Sequence, residues 1–443
     1  MDNAIDLGRP EPLEAPSSSE LEAEAAYERF VWANLPRNFA GHFIHGMLGM
    51  TGFRLFNAPT FLPAYLLQLT HSPFLVASGQ ALQQMGGVVS PVVGATVIEH
   101  RKKVLPVSML MGTLMRLPIL GIAIAGWTLA AHPGAEAATI LAFLFLMGLF
   151  SGAQQVAFQM LLAKVIPIRR RGRLQALRNA AGGAVAACLA WAAGHYLIQG
   201  DMFGNGYSTT FLLAFLLTSA GLSAVRLLVR EPEPPTLRPK RRLRDRVRDF
   251  PGLLAADRDY RYFMVAQTCA VTGRIAAPFY ILYAAHVMEL SGKNLGLATF
   301  AFLGADTVTN IIWGFMGDRW GFRSTFVGAL GLWIAATVLL IVAPSMALVL
   351  LAFFGLGSAQ SGFLMSSQTM VLEFGARDDV PMRLALSSTA QGLMSTLGPL
   401  VGGVVAASFG YLPVFWISIA FEAMALCILV TRVREPRFRR AEA

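Results

Sequence analysis

The stretch from Arg230 to Arg261, REPEPPTLRPKRRLRDRVRDFPGLLAADRDYR, divides the chain into two halves of similar character. Pro232, Pro234, Pro235 and Pro239 oppose regular helix at its start, and Lys240-Arg241-Arg242-Leu243-Arg244 then concentrates positive charge. On either side the sequence becomes apolar for runs of about 20 residues or more, the length that crosses a hydrocarbon core of ~30 Å. Six runs precede the linker, at 38–66, 73–98, 104–130, 137–165, 173–199 and 208–229. Six follow it, at 261–288, 295–316, 324–343, 345–373, 383–408 and 412–431. A backbone in lipid must bond to itself, and the Ala, Leu, Gly and Phe of these runs suit helices rather than alternating barrel strands. The expected fold is an all-α membrane protein with twelve transmembrane helices in two six-helix bundles, 37–229 and 261–432, joined by a basic linker at 230–260.

Composition and charge agree. Of 443 residues 55% are hydrophobic and 14% charged, too little charge for the surface of soluble domains. Basic residues gather in alternate connections: His100-Arg101-Lys102-Lys103, then Arg169-Arg170-Arg171 with Arg173, then the linker, then Arg319 with Arg323, then Arg377. The end at 433–443 is a basic tail, and the other connections hold almost no Lys or Arg, Lys293 being the clearest exception. The positive-inside rule therefore predicts a multi-pass inner-membrane protein with both termini cytoplasmic. It accounts for the net charge of +10 better than a nucleic-acid partner does. Residues 1–36 read as an acidic, disordered or loosely helical tail, without the basic and apolar regions of a signal peptide. Cys188, Cys269 and Cys427 lie in apolar runs with no motif spacing, so they are expected to pack. No metal, cofactor or nucleophile–base constellation is visible, and an enzyme is not expected.

The halves repeat. Thr51-Gly52-Phe53-Arg54 before Pro59 matches Thr272-Gly273-Arg274 before Pro278. Gly152-Ala153-Gln154 matches Ser358-Ala359-Gln360, and Arg173-Leu174 matches Arg383-Leu384. Repeated halves of this kind place a solute site between them near the midplane. Between spans eight and nine stands Gly314-Phe-Met-Gly317-Asp318-Arg319-Trp-Gly321-Phe-Arg323, and the corresponding first-half loop keeps Gly94, Glu99 and a basic run. On these residues, over roughly 37–432, the chain resembles the major facilitator superfamily. The resemblance implies two bundles rocking about a central cavity, with the Asp318 loop holding one gate together. Asp318 would pair with basic residues such as Arg319 and Arg323 or cap a helix, while Gly314 and Gly321 shape the turn. The simpler alternative is a polar turn between spans.

An ionisable residue at membrane depth costs on the order of 3 kcal/mol on insertion scales, so each points to function or to pairing. Arg54, Arg116, Arg274, Asp306 and Glu422 qualify. Arg54 and Arg274 fall at matching places in spans one and seven, which line the cavity in the family the chain resembles. Two guanidiniums there would suit a carboxylate or phosphate, as in its anion-exchanging branches. The alternative is that one or both pair internally with Asp306 or Glu422, or bond to backbone carbonyls, Asp306 above all neutralising Arg274 from the next span. Asp306, with Asn310 one turn later, is the candidate for coupling a proton. Gln154, Gln360 and Asn57 are expected to offer amides to a polar solute, with Gln83, Gln84 and Gln391 adding to a partly polar cavity. Span five lacks the Gly-Pro motif of drug–proton antiporters, and Gly398-Pro399 in span eleven stands elsewhere. The reading is a secondary transporter acting as a monomer, whose expected partners are a small organic solute (anionic by the arginine pair), a coupling proton or counter-anion, and the bilayer. The alternatives are an exporter of amphipathic drugs and a non-transporting assembly factor or sensor of the same fold.

Overall fold

The computed structural model describes residues 18–98, 103–233, 257–374 and 380–435, and among these there is no strand. In the first half, α1 (Ser18–Ala33) precedes a broken first span. That span runs α2 (Leu35–Ile44), a π-helical turn (His45–Gly49), α3 (Met50–Phe56) and α4 (Phe61–Thr70). Then follow α5 (Pro73–Ile98), α6 (Leu105–Thr128), α7 (Pro133–Val165), α8 (Ile168–Ala192) with a π-helical end (Ala193–Ile198), and α9 (Gly206–Leu228).

The second half repeats the order. Its first span is α10 (Arg258–Gly273), a 3-10 segment (Arg274–Phe279) and α11 (Tyr280–Ala284). After it come α12 (Gly292–Trp320), α13 (Phe322–Val342), α14 (Met346–Glu373), α15 (Val380–Phe409) and α16 (Tyr411–Arg432). Among the described residues nine helices are long and apolar enough to cross a membrane. The broken spans, one and seven, lose their helical ladder beside Pro59 and Pro278, whose rings cannot continue it. The matched prolines thus break matched spans.

Packing within each half relies on small residues, as expected where lipid gives helices no hydrophobic reason to associate. A Cβ on Gly148 of α7 would lie 2.0 Å from the Gln83 carbonyl oxygen of α5, and one on Gly357 of α14 equally 2.0 Å from that of Phe302 in α12. Gly52 of span one sits against the Ala214 carbonyl of α9, and Gly273 of span seven sits against Ser418 and Glu422 of α16. The two halves therefore use the same contacts in the same order.

Three local expectations change. Arg169, Arg170, Arg171 and Arg173 occupy the first turns of α8 rather than a loop, because Pro167 opens the helix and arginine is a good helix former. Asp318 and Arg319 lie in the last turn of α12, leaving Gly321 (φ +84°) as the turn into α13. In the acidic tail, Ser18–Ala33 is a helix rich in Ala and Glu, fixed by Tyr27 Oη donating to the Lys164 carbonyl at 3.0 Å. The expected linker from 234 to 256, the loop at 375–379 with Arg377, and the tails at 1–17 and 436–443 lie outside the described residues.

Candidate functional site

The halves meet where α5 packs on α15 and α8 on α12. At the ends of these helices facing the sparsely charged connections the seam is tight. A Cβ on Gly194 would lie 2.4 Å from the Gly292 carbonyl oxygen and 2.5 Å from Gly296 Cα. The Thr60 and Thr299 hydroxyls share a hydrogen bond, and the Lys293 backbone N–H donates to Gln199 Oε1 at 3.3 Å. Gly403 of α15 faces Phe74 and Ala77 of α5 in the same way.

Deeper in the seam an ion pair crosses between the halves. Arg54 Nη1 lies 3.0 Å from Asp306 Oδ2, with the side chains 21% and 16% exposed. The same nitrogen donates to Thr307 Oγ1 at 3.3 Å. Gly183 makes room, since a Cβ there would come within 2.6 Å of Arg54 Nη1 and 2.0 Å of Thr307 Oγ1. A small cavity of about 70 Å³ opens beside the pair, lined also by Asn179, Asn310 and Ile311. Asn310 Nδ2 donates to Ser361 Oγ at 3.0 Å, tying that wall to α14. The result is one cation, one anion, a hydroxyl and two amides around a shared space, able to bind a polar solute by charge and by hydrogen bonds.

Sequence matching brings Arg54 and Arg274 to one site; the structure does not. Arg274 is not among the residues lining the Arg54 cavity. Its guanidinium lies 5.9 Å from the Trp333 ring and 5.6 Å from that of Phe363, with Nε buried and unpartnered. The cause is register. Gly52 and Gly273 do the same packing work, yet Arg54 follows its glycine by two residues and Arg274 by one. One residue is about 100° around a helix, so Arg274 turns away from the cleft into its own half. Its acidic neighbour there is Glu422, which interacts with it electrostatically and accepts from Ser418 Oγ at 3.4 Å. Asp306 therefore neutralises Arg54, not Arg274 as the neighbouring-span argument has it.

The remaining expected residues separate. Asn57 stands exposed at the break in span one, donating to the Phe53 carbonyl at 2.9 Å and accepting from Gln83 Nε2 at 2.8 Å. Gln154 is buried in the first half beside Gly112 and Arg116, and Gln360 is half-buried on α14. In the expected gate, Asp318 and Arg319 are exposed and Gly314 faces Met365. Arg323 instead ties α13 to the end of α16, donating to the Leu429 and Val430 carbonyls, each at 2.9 Å, while its backbone N–H donates to Glu435. Sequence reading missed Glu136, which starts α7 just ahead of the expected span, is buried, and accepts from Tyr65 Oη. It also missed Arg178, which follows a basic run that invites a reading by topology alone.

The family model of the Major Facilitator Superfamily matches residues 39–261 and 262–443, and the chain belongs to that superfamily. Among curated relatives, the uncharacterized MFS-type transporter YvkA of Bacillus subtilis (strain 168) is 24% identical over 159 residues, 36% of this chain and 36% of the relative. Among solved structures, a mutant of the nucleoside transporter NupG superposes with a TM-score of 0.69 at 13% identity, covering 89% of this chain and 100% of that one. A D-xylose-proton symporter does so with a TM-score of 0.67 at 14% identity, covering 91% and 98%. These likenesses establish the fold.

Proposed function

We propose that this protein is a secondary transporter that carries a small polar organic solute across the cytoplasmic membrane by alternating access, in twelve crossings with both termini inside. The observation that carries this reading is the Arg54–Asp306 pair joining the two halves. Burying two charges at membrane depth is costly unless they meet each other or a ligand, and a pair between moving halves can be exchanged for a solute. Thr307, Asn179 and Asn310 supply the uncharged donors and acceptors beside it. A neutral polar solute fits better than an anion, since one guanidinium borders the cavity and Asp306 already meets its charge. The names of the fold neighbours, a nucleoside transporter and a xylose-proton symporter, agree with that class of solute. Protonation of Asp306 would release Arg54, which gives a proton the means to loosen the seam.

Proteoliposomes test the reading. Uptake of nucleosides, sugars and small organic acids is measured with and without a pH gradient. Saturable uptake of a neutral polar solute, reduced at least tenfold by Arg54→Gln and by Asp306→Asn, is expected. Uptake that both variants leave intact would remove this pair from the mechanism, and uptake of organic acids alone would reinstate the anion.

A further inference from the structure

A second polar cluster lies within the first half, apart from the Arg54 cavity. Arg116 on α6 is 2% exposed and Arg178 on α8 is 5% exposed. His45, in the π-helical turn of span one, stands between them. Its Nε2 is 3.4 Å from Arg116 Nη2 and its Nδ1 is 3.4 Å from Arg178 Nη2. Among the described residues no carboxylate pairs with either guanidinium.

The hydrogen-bond inventory does not close. A neutral imidazole has one acceptor nitrogen and one N–H, and a guanidinium only donates. One of the two His45 contacts therefore sets N–H against N–H, whichever tautomer is present. Arg116 has other partners, the Thr218 carbonyl at 2.9 Å and that of Gly112 at 2.6 Å. Arg178 has fewer. Its Nε is buried and unpartnered, and its guanidinium lies 5.2 Å from the Phe158 ring centre. His42 packs on the same ring, is 0% exposed, and leaves both ring nitrogens unpartnered. Donors converge here, with two positive charges and no negative one.

We propose that the Arg116–His45–Arg178 cluster binds a small inorganic anion of chloride's size, held by both guanidiniums and by the N–H groups of His42 and His45. A buried charge without a partner costs several kcal/mol, about the scale of a protein's whole stability, so two such charges call for a counter-ion. The anion accepts from every donor that now lacks an acceptor, including the one turned against His45. Its size follows from enclosure: these residues are almost wholly buried around Phe158, and a polyvalent ion would pay far more to shed its water. The backbone is shaped to the same end. A Cβ on Gly46 would lie 2.3 Å from Arg178 Cγ, so glycine there lets the arginine lie across span one. The π-helical turn sets His45 between the arginines, and such turns recur at functional sites. All ligands belong to one half, so the anion stays with that half as a fixed counter-ion.

The test is thermal unfolding of the purified protein at constant ionic strength, with sodium gluconate replaced stepwise by sodium chloride, and by sodium bromide in a second series. The wild type should melt at a temperature that climbs with the logarithm of chloride or bromide concentration once the site begins to fill, but does not move with gluconate. Arg178→Gln should move the onset of that rise to a chloride concentration about tenfold higher or more, as loss of one charge-assisted contact implies. His42→Phe keeps a flat aromatic ring, somewhat larger, and removes the ring nitrogens, and it should weaken the response too. A wild-type melting temperature indifferent to chloride would overturn the proposal. So would a full response in His42→Phe, which decides the matter should Arg178→Gln fail to fold. The readout involves no transport, so it is independent of the function proposed above.

Discussion

Arg54 and Arg274 show how one residue type acquires two surroundings. Each was legible as a charge at membrane depth, but the face it occupies depends on a one-residue offset that a list of matches does not reveal. The structure pairs Arg54 with Asp306 and sets Arg274 between Trp333, Phe363 and Glu422. Different outcomes are expected on substitution. Arg54→Gln should raise KM or abolish uptake, whereas Arg274→Gln should mainly lower the melting temperature; measuring both quantities for both variants separates the roles. Asp306→Asn leaves a partly buried guanidinium unpaired, at a cost on the order of 2 kcal/mol. The double variant Arg54→Gln/Asp306→Asn should recover that stability without recovering uptake, and a double variant less stable than Asp306→Asn alone would contradict the pairing. Asp306 and Asn310 were found by their depth in the span. Glu136 and Arg178 escaped because an acid at a span's edge and an arginine near a basic run look like topology.

At the scale of helices, glycine decides which faces approach. Gly148 has the Gln83 carbonyl 2.0 Å from where a Cβ would be, whereas nothing lies within 4 Å of one on Gly172. Gly148→Ala should therefore lower the melting temperature by several degrees or prevent folding, while Gly172→Ala, in the exposed start of α8, should be neutral or stabilise by up to about 1 kcal/mol. Equal losses from the two would argue against the packing described. The breaks at Pro59 and Pro278 could be read from sequence because proline acts through its own ring. The π-helical turns at His45–Gly49 and Ala193–Ile198 could not, because they carry no residue signal and arise from how neighbouring helices seat.

For the whole molecule, the helical class and the order of the apolar spans were legible because hydrophobic length is a summed property that tolerates local error, while loop charge carries the sidedness proposed above. Which end of the cleft is shut was not legible, because it depends on contacts between distant helices. The seam at Gly194, Gly292 and Gly296 closes the end away from the basic loops. In a background lacking Cys188, Cys269 and Cys427, Asn310→Cys should react with a membrane-impermeant thiol reagent from the cytoplasmic side, and Thr299→Cys should be protected. Gly296→Leu should prop the seam apart and expose Thr299→Cys from outside; continued protection would mean that this seam is not the outer gate. The offset between Gly52–Arg54 and Gly273–Arg274 reaches further than the site itself. If the halves descend from one duplicated gene, a slip of a single codon divided an inherited charge between two tasks. The copies then ceased to be spare parts for one another: grafting span seven in place of span one would leave Asp306 facing no cation.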